Sequence, residues 1–393
     1  MTTNPAAPML RSEDHIVVTH VGSLPRPQDL LGMLLSQERG ERVDQGALSE
    51  HIVEAVDEIV AAQTSRGIEV VNDGEVGKPS FLTYVNDRLG GFEPMRDSAV
   101  SPWAGSREER SFPDFYATGA RSGAADAIHM ACVDDITYTG SEALQRDVAG
   151  LRAALGRNSA REGFMTSISP TNVEGWQRND HYGSQEEFLF AIADAMRVEY
   201  EAIVDAGLLL QVDDPGLLTE WALRPEWSVD DCRAWARVRV EALNHALRNI
   251  PPERIRFHTC YSINMGPRVH DMELRDIVDL VLDINAGAYS FEAANPRHEH
   301  EWRVWEDAGL PEDKLIIPGV VTHSSVLVEH PDTVADRIVR FADVVGRERV
   351  LAGADCGFAS FASTDEIHPS IVWAKLEALS EGARRASASL WGG

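Results

Sequence analysis

The sequence predicts an α/β fold: a (β/α)8 TIM barrel made by residues 1–393 as one unit, with a loop-rich insertion after the second strand. Three observations predict it. Runs of strand length rich in β-branched residues recur eight times. Amphipathic stretches long enough to cross over a sheet lie between most of them, which calls for parallel strands. Several runs are followed at once by polar residues able to do chemistry, and barrel folds carry their functional groups at those carboxyl ends. With 393 residues the chain can bury so large a core, although the length also admits two ordinary domains.

The candidate strands are residues 16–20, 68–73, 164–169, 208–213, 255–260, 288–292, 315–320 and 350–355. The candidate crossover helices are 50–66, 185–206, 230–249, 273–286 and 332–345, each with apolar residues at three-to-four spacing. Residues 90–150 break this rhythm. They hold the turn-forming Phe112-Pro113 and Thr139-Gly140 and a hairpin candidate at 128–139, and their apolar content is too sparse for an independent core. They are therefore expected to cover the barrel mouth, where loops carry function. The first fourteen and last ten residues read as tails or docking arms.

Composition narrows the function classes. The chain is 44% hydrophobic and 25% charged, without an apolar run of membrane-spanning length. Met1 to Asp14 is polar and lacks the apolar core of a signal peptide, so a cytoplasmic home is expected. A formal net charge of −27 repels phosphate backbones and anionic membranes, which argues against nucleic acid or a membrane surface as partner. The four cysteines, Cys132, Cys232, Cys260 and Cys356, are widely spaced and form no CxxC pair. That leaves metal binding or simple burial in place of a disulfide framework.

Three strand ends carry metal-ligand chemistry. His258 and Cys260 are two apart, so on a strand their side chains point the same way. Glu292 and Cys356 stand at the ends of the sixth and eighth candidate strands. An imidazole, two thiolates and a carboxylate make a tetrahedral set suited to Zn2+ and too soft for magnesium or calcium. Taken singly, His258, Cys260 and Cys356 also read as buried interior residues. Four ligand types at strand ends favour the metal.

These segments resemble the zinc motifs of the cobalamin-independent methionine synthase family, in its catalytic C-terminal barrel: His258-Thr259-Cys260-Tyr261, Ser290-Phe291-Glu292 and Asp355-Cys356-Gly357. His20 to Pro27 after the first strand, Asp73-Gly74-Glu75 after the second and Gln211 to Pro215 at the fourth extend the resemblance from near residue 16 to near residue 360. It implies zinc-dependent transfer of a methyl or other alkyl group to a small-molecule thiol whose sulfur binds the metal. It also implies that Glu292 is a ligand displaced when substrate arrives. By the same resemblance, Glu75 and Asp213 hold the amino group of homocysteine, Ser23 lies near its carboxylate, and His323 protonates the leaving group. Trp176 offers a flat face on which a donor such as a pterin could stack. The run Arg297 to Glu301 reads as a solvated helix start.

Departures leave the donor open. A single barrel stands where the longer enzymes have two, the fourth-strand motif is Asp213-Asp214-Pro215 instead of Asp-Glu-Pro, and Gly357-Phe358 follows Cys356. Some short relatives resemble methionine synthases, and others are epoxyalkane:coenzyme M transferases. An ammonium acceptor needs paired carboxylates, whereas a sulfonate needs bases such as Arg26, Lys78 and Arg268. A non-catalytic zinc or thiol-binding barrel is the remaining reading.

Overall fold

The computed structural model describes residues 8–39, 41–95, 101, 103–118, 129–262, 266–362 and 367–392. Ten strands are present among them: β1 (Val70–Val71), β2 (Leu89–Pro94), β3 (Met130–Tyr138), β4 (Glu162–Ile168), β5 (Arg178–Asn179), β6 (Leu209–Asp213), β7 (Ile255–His258), β8 (Ala288–Phe291), β9 (Leu315–Val321) and β10 (Gly353–Ala354). Seven form one parallel, TIM-barrel-like sheet in the order β1-β4-β6-β7-β8-β9-β10.

The expected first strand, 16–20, lies between the two edges of this sheet without forming a full ladder. Thr19 N–H donates to the Ala352 carbonyl and Ala352 N–H to that of Val17, while Glu69 and Val70 both donate to the Val18 carbonyl. Side chains satisfy the rest of its backbone: Val17 N–H donates to Ser12 Oγ and Ile16 N–H to Ser387 Oγ. The second strand is cut to two residues because the chain turns at once, with φ of 65° at Gly74 and 54° at Glu75.

The two-residue period of the strands sorts side chains between the barrel interior and the helix layer. Val17, Val70, Phe164, Leu209, Ala288, Leu315 and Leu351 form one buried interior cluster, capped by Met9. Continuing the same parity toward the carboxyl ends, β6 presents Gln211 and Asp213 above Leu209, and β8 presents Ser290 above Ala288. Arg256 is buried in this interior, its guanidinium 3.9 Å from the Phe164 ring and donating to Thr19 Oγ1 and the His20 carbonyl.

Outside the sheet, helices start where capping chemistry allows. Asp44 accepts from the Gly46 and Ala47 N–H groups and starts Gln45–Thr64, five residues before the expected start, and a Ser228/Asp231 capping box starts Val229–Leu247. The expected helix 273–286 is a 3-10 turn, Leu274–Asp276, followed by the short helix Val278–Leu282. Ile277, at φ −143°, breaks it. The expected C-terminal tail mostly belongs to the helix Pro369–Trp391, where Arg347 lies over the Trp391 ring. No helix among the described residues is long and apolar enough to cross a membrane.

The described residues of 90–150 hold more regular structure than the composition suggests. β2 pairs antiparallel with β3, and β3 pairs parallel with β5 from beyond β4, giving a second, three-stranded sheet. Two short helices, Arg107–Ser111 and Pro113–Ala117, lie between β2 and β3. The end of the range belongs to the crossover helix Ser141–Arg157, which precedes β4. Part of the expected hairpin, Ile128, is outside the described residues.

Candidate active site

At the carboxyl ends of the parallel strands, His258, Cys260 and Cys356 converge. One ligand atom from each lies within 4.8 Å of the others, and the two Sγ atoms are 3.5 Å apart. All three residues are buried, and no cysteine forms a disulfide. Burial pulls the His258 imidazole down to about 3, so it is neutral and has a lone pair to give. Its Nδ1 lies 3.2 Å from Ser290 Oγ, while its buried Nε2 has no hydrogen-bond partner. A ring nitrogen fixed on one side and unsatisfied on the other, beside two thiols, fits a soft divalent cation such as zinc.

These groups share a small cavity, about 30 Å³, with Ser23, Glu75, Asp213 and Gly357. Glu75 holds a left-handed backbone conformation, unusual for a residue with a Cβ. Its Oε1 accepts from Thr166 Oγ1 at 3.0 Å, whereas its buried Oε2 has no partner. Asp213 accepts from Gln211 Nε2 at 2.8 Å. Burial raises both carboxyls above their usual range, and for Asp213 the charge of Glu75 raises it further. Both acids line the cavity, one with an oxygen that no protein group satisfies, and a cation bound there would offset the cost of charging them. No Lys or Arg is among the described residues lining this cavity. Arg26 donates to the carbonyls of Glu75, Lys78 and Ala359, and Lys78 to Thr166.

Close backbone approach makes the cavity. A Cβ at Gly22 would stand 2.5 Å from Glu75 Oε1 and 2.9 Å from Thr166 Cγ2, and one at Gly357 would run into Ser23 Oγ. Gly22→Ala is therefore expected to displace Glu75 and to cost about 1–3 kcal/mol of stability. A shifted denaturation midpoint together with weaker binding of an amino-thiol would show it.

Glu292 groups with His323 and Asp355, again with ligand atoms within 4.8 Å of one another. Its Oε1 accepts from Tyr261 N–H at 2.8 Å and Arg268 Nη2 at 3.2 Å, and its Oε2 from Arg268 Nη1 at 3.1 Å and from Asn295 Nδ2. Although burial opposes it, Arg268 holds the Glu292 carboxyl down at about 2. His323 is buried and pulled to about 4 by desolvation, and it lines neither this cavity nor the larger one beside it.

Sequence reasoning missed the network behind Glu292. Arg268 Nε donates to Asp271, Asp271 meets His298 Nε2 at 3.0 Å, and His298 Nδ1 meets Glu301 at 2.8 Å. The His298 ring stacks on Tyr261 at 3.8 Å. The run 297–301 does start a helix, the 3-10 turn Glu299–Arg303, and Arg297 and His300 are exposed, but His298 and Glu301 are buried, and their i, i+3 spacing was the available signal. Burial alone would lower His298, but bonds to Asp271 and Glu301 outweigh it and raise the imidazole to about 9. A folded pKa above the unfolded 6.5 gives stability that is complete below pH 6.5 and lost as pH rises through 9. Between pH 6 and 9.5 the wild type is expected to lose about 3 kcal/mol more than His298→Gln, read from urea unfolding.

Phe81, Pro215 and Ser262 line both the small cavity and a chamber of about 890 Å³. Trp103, Trp176, Trp227 and Trp235 line it, and Arg239 pairs there with Glu174 at 2.6 Å. One face of Trp176 is already taken by His129, stacked at 4.1 Å. Met95, Trp103 and His129 bring residues of the 90–150 segment to this chamber. Arg107 of the same segment donates to the carbonyls of Trp221, Arg224 and Trp227.

Comparison with known proteins bears on these residues. Residues 16–372 match the family described as cobalamin-independent synthase, catalytic domain. A methionine synthase of Thermococcus kodakarensis is 25% identical over 341 residues, covering 86% of this chain and 85% of its own. A methionine synthase of Saccharolobus solfataricus is 21% identical over 369 residues, covering 93% of each. A B12-independent methionine synthase from Shewanella sp. W3-18-1, solved in complex with selenomethionine, superposes with a TM-score of 0.75 at 18% identity, over 96% of this chain and 100% of that one. That likeness establishes the fold.

Proposed function

We propose that this chain, which belongs to the cobalamin-independent methionine synthase family through its catalytic domain, transfers a methyl group to the sulfur of homocysteine or a similar amino-thiol. One observation carries the reading: His258, Cys260 and Cys356 line the same small cavity as Glu75 and Asp213. A sulfur donor set and an ammonium-binding pair thus face each other across the space of one small molecule.

His258, Cys260 and Cys356, with Glu292 as the ligand that an incoming thiol displaces, would hold the zinc, which when bound lowers the pKa of a thiol so that the acceptor is a thiolate at neutral pH. Glu75 and Asp213 bind the acceptor's ammonium and so orient its sulfur toward the metal side. Ser23 and the tight Gly357 approach shape the wall near its carboxylate. The methyl donor occupies the aromatic chamber, with the exposed side of Trp176 available to a flat ring. The 90–150 segment covers that chamber and keeps water from the reacting sulfur, a role supported by its contacts around the mouth. His323 is assigned protonation of the leaving group. In this structure it groups with Glu292 and Asp355. A cytoplasmic setting belongs to this proposal, in keeping with four widely spaced cysteines that form no disulfide.

The test is product analysis by mass spectrometry after incubating zinc-loaded protein with homocysteine, coenzyme M or 4-mercaptobutanoate. Methyl-folate, methylcobalamin and epoxypropane serve in turn as donors. Methionine from homocysteine with a methyl donor is the expected result. An adduct of coenzyme M and epoxypropane, without methionine, would overturn it in favour of epoxide opening. The acidic cavity argues against a sulfonate acceptor, since Arg26, Lys78 and Arg268 are engaged with protein groups.

A further inference from the structure

We propose that Lys78 is a positioning residue for the ammonium of the bound thiol: acting through Thr166, it engages Glu75 Oε1 with the protein and leaves Oε2 to the ligand. The inference rests on the amino-thiol reading above. The direction of the hydrogen bonds follows from which atoms can donate. An ammonium has protons and no lone pair, so Lys78 Nζ donates to the Thr166 carbonyl at 2.7 Å and to Thr166 Oγ1 at 3.1 Å. With that oxygen already accepting, the single hydroxyl proton goes to Glu75 Oε1, 3.0 Å away. Oε1 is thereby engaged, and the unsatisfied Oε2 is the atom left for a cation in the cavity that Glu75 lines.

Lys78 is itself held in place. It is buried, and its Nζ lies 4.4 Å from the centre of the Tyr84 ring. Its N–H donates to the Glu75 carbonyl, within the turn that gives Glu75 its left-handed backbone. Arg26 Nη2 donates to the carbonyls of both Glu75 and Lys78 and so ties the turn together. Two bonds of 3.1 and 3.0 Å in series put Nζ within about 6 Å of Oε1, close enough for its charge to favour the carboxylate that burial disfavours. Lys78 is not among the residues lining the cavity, so it acts on the ligand through Glu75.

The test is calorimetric titration of the zinc-loaded protein with homocysteine and with 4-mercaptobutanoate, which lacks the amino group. Lys78→Met should weaken homocysteine binding about tenfold or more and change 4-mercaptobutanoate binding less than about threefold, because only the ammonium needs Glu75 charged and aimed. Thr166→Val removes the connecting hydroxyl but keeps the carbonyl that Lys78 also meets, and it should show the same selective loss. In a Glu75→Gln background, Lys78→Met should cost homocysteine less than about threefold more, since its target is gone. Equal losses for the two thiols, tighter homocysteine binding in Lys78→Met, or an undiminished effect in the Glu75→Gln background would overturn the proposal. Should Lys78→Met not fold, Thr166→Val alone and combined with Glu75→Gln carries the same comparison. Glu75→Gln by itself is the control: if it weakens both thiols equally, the amino-thiol reading fails, whereas a selective loss there with none in Lys78→Met and Thr166→Val removes only the role given to Lys78.

Discussion

Cys356→Ser is expected to lose stoichiometric zinc and methyl transfer together. The Cys356 sulfur sits 3.5 Å from that of Cys260, within 4.8 Å of a nitrogen of His258, and at the edge of the acceptor cavity. A serine hydroxyl there is a harder donor that does not ionise at neutral pH, so the ion would keep one thiolate and one imidazole. Changes to groups that merely orient metal ligands commonly cost ten- to a hundredfold in affinity, so removal of a ligand should cost more than about a hundredfold. Metal analysis and turnover on the same preparation measure both effects. Cys232→Ala, on the helix Val229–Leu247 and not among the residues lining the acceptor cavity, should keep its zinc. A Cys356→Ser protein with full zinc and activity would remove the proposed chemistry at its root.

The second large effect is on acceptor choice. Glu75→Gln and Asp213→Asn each remove a carboxyl that can charge against a bound ammonium while keeping the side chain's size. A hydrogen bond to a charged group contributes about 1.5–3 kcal/mol, so either change should weaken homocysteine binding roughly 10- to 150-fold. Because Glu75 Oε2 has no protein partner, its loss is expected to act on the ligand more than on the fold. A thiol without an amino group, such as 4-mercaptobutanoate, should lose nothing or bind somewhat better, since the buried acids no longer repel its carboxylate. Equal loss for both thiols would mean that the pair only shapes the cavity. Calorimetric titration of the zinc-loaded variants with the two thiols separates these outcomes.

Much of the site was legible because strand geometry is local. A two-residue period puts His258 and Cys260 on one face wherever that strand lies, and Asp213, Glu75 and Cys356 each close a short run at the same end of the sheet. Glu292 was legible as a strand-end carboxylate, but its partner was not. Arg268 comes from a loop 24 residues earlier, in a left-handed turn, and nothing in residue type or spacing announces that pairing. His298 looked solvated because residues two apart in the charged run Arg297 to Glu301 face different sides of a helix. Its burial depends on Asp271 and Tyr261, brought in from the preceding βα loop. The sheet β2-β3-β5 escaped for a similar reason: β3 finds β5 only after the chain has passed through β4.

By itself the sequence determined the alternation of strands and helices, the donor types at the strand ends and the acidic character of the acceptor side, since these follow from periodicity and side-chain chemistry. Only the tertiary structure decided how the carboxylates are shared out. Glu75 and Asp213 are left facing a cavity without a base, while Glu292 is neutralised by Arg268. The physical reason is that a buried carboxylate's behaviour is set by the charges and donors within a few ångströms, and loops distant along the chain supply those.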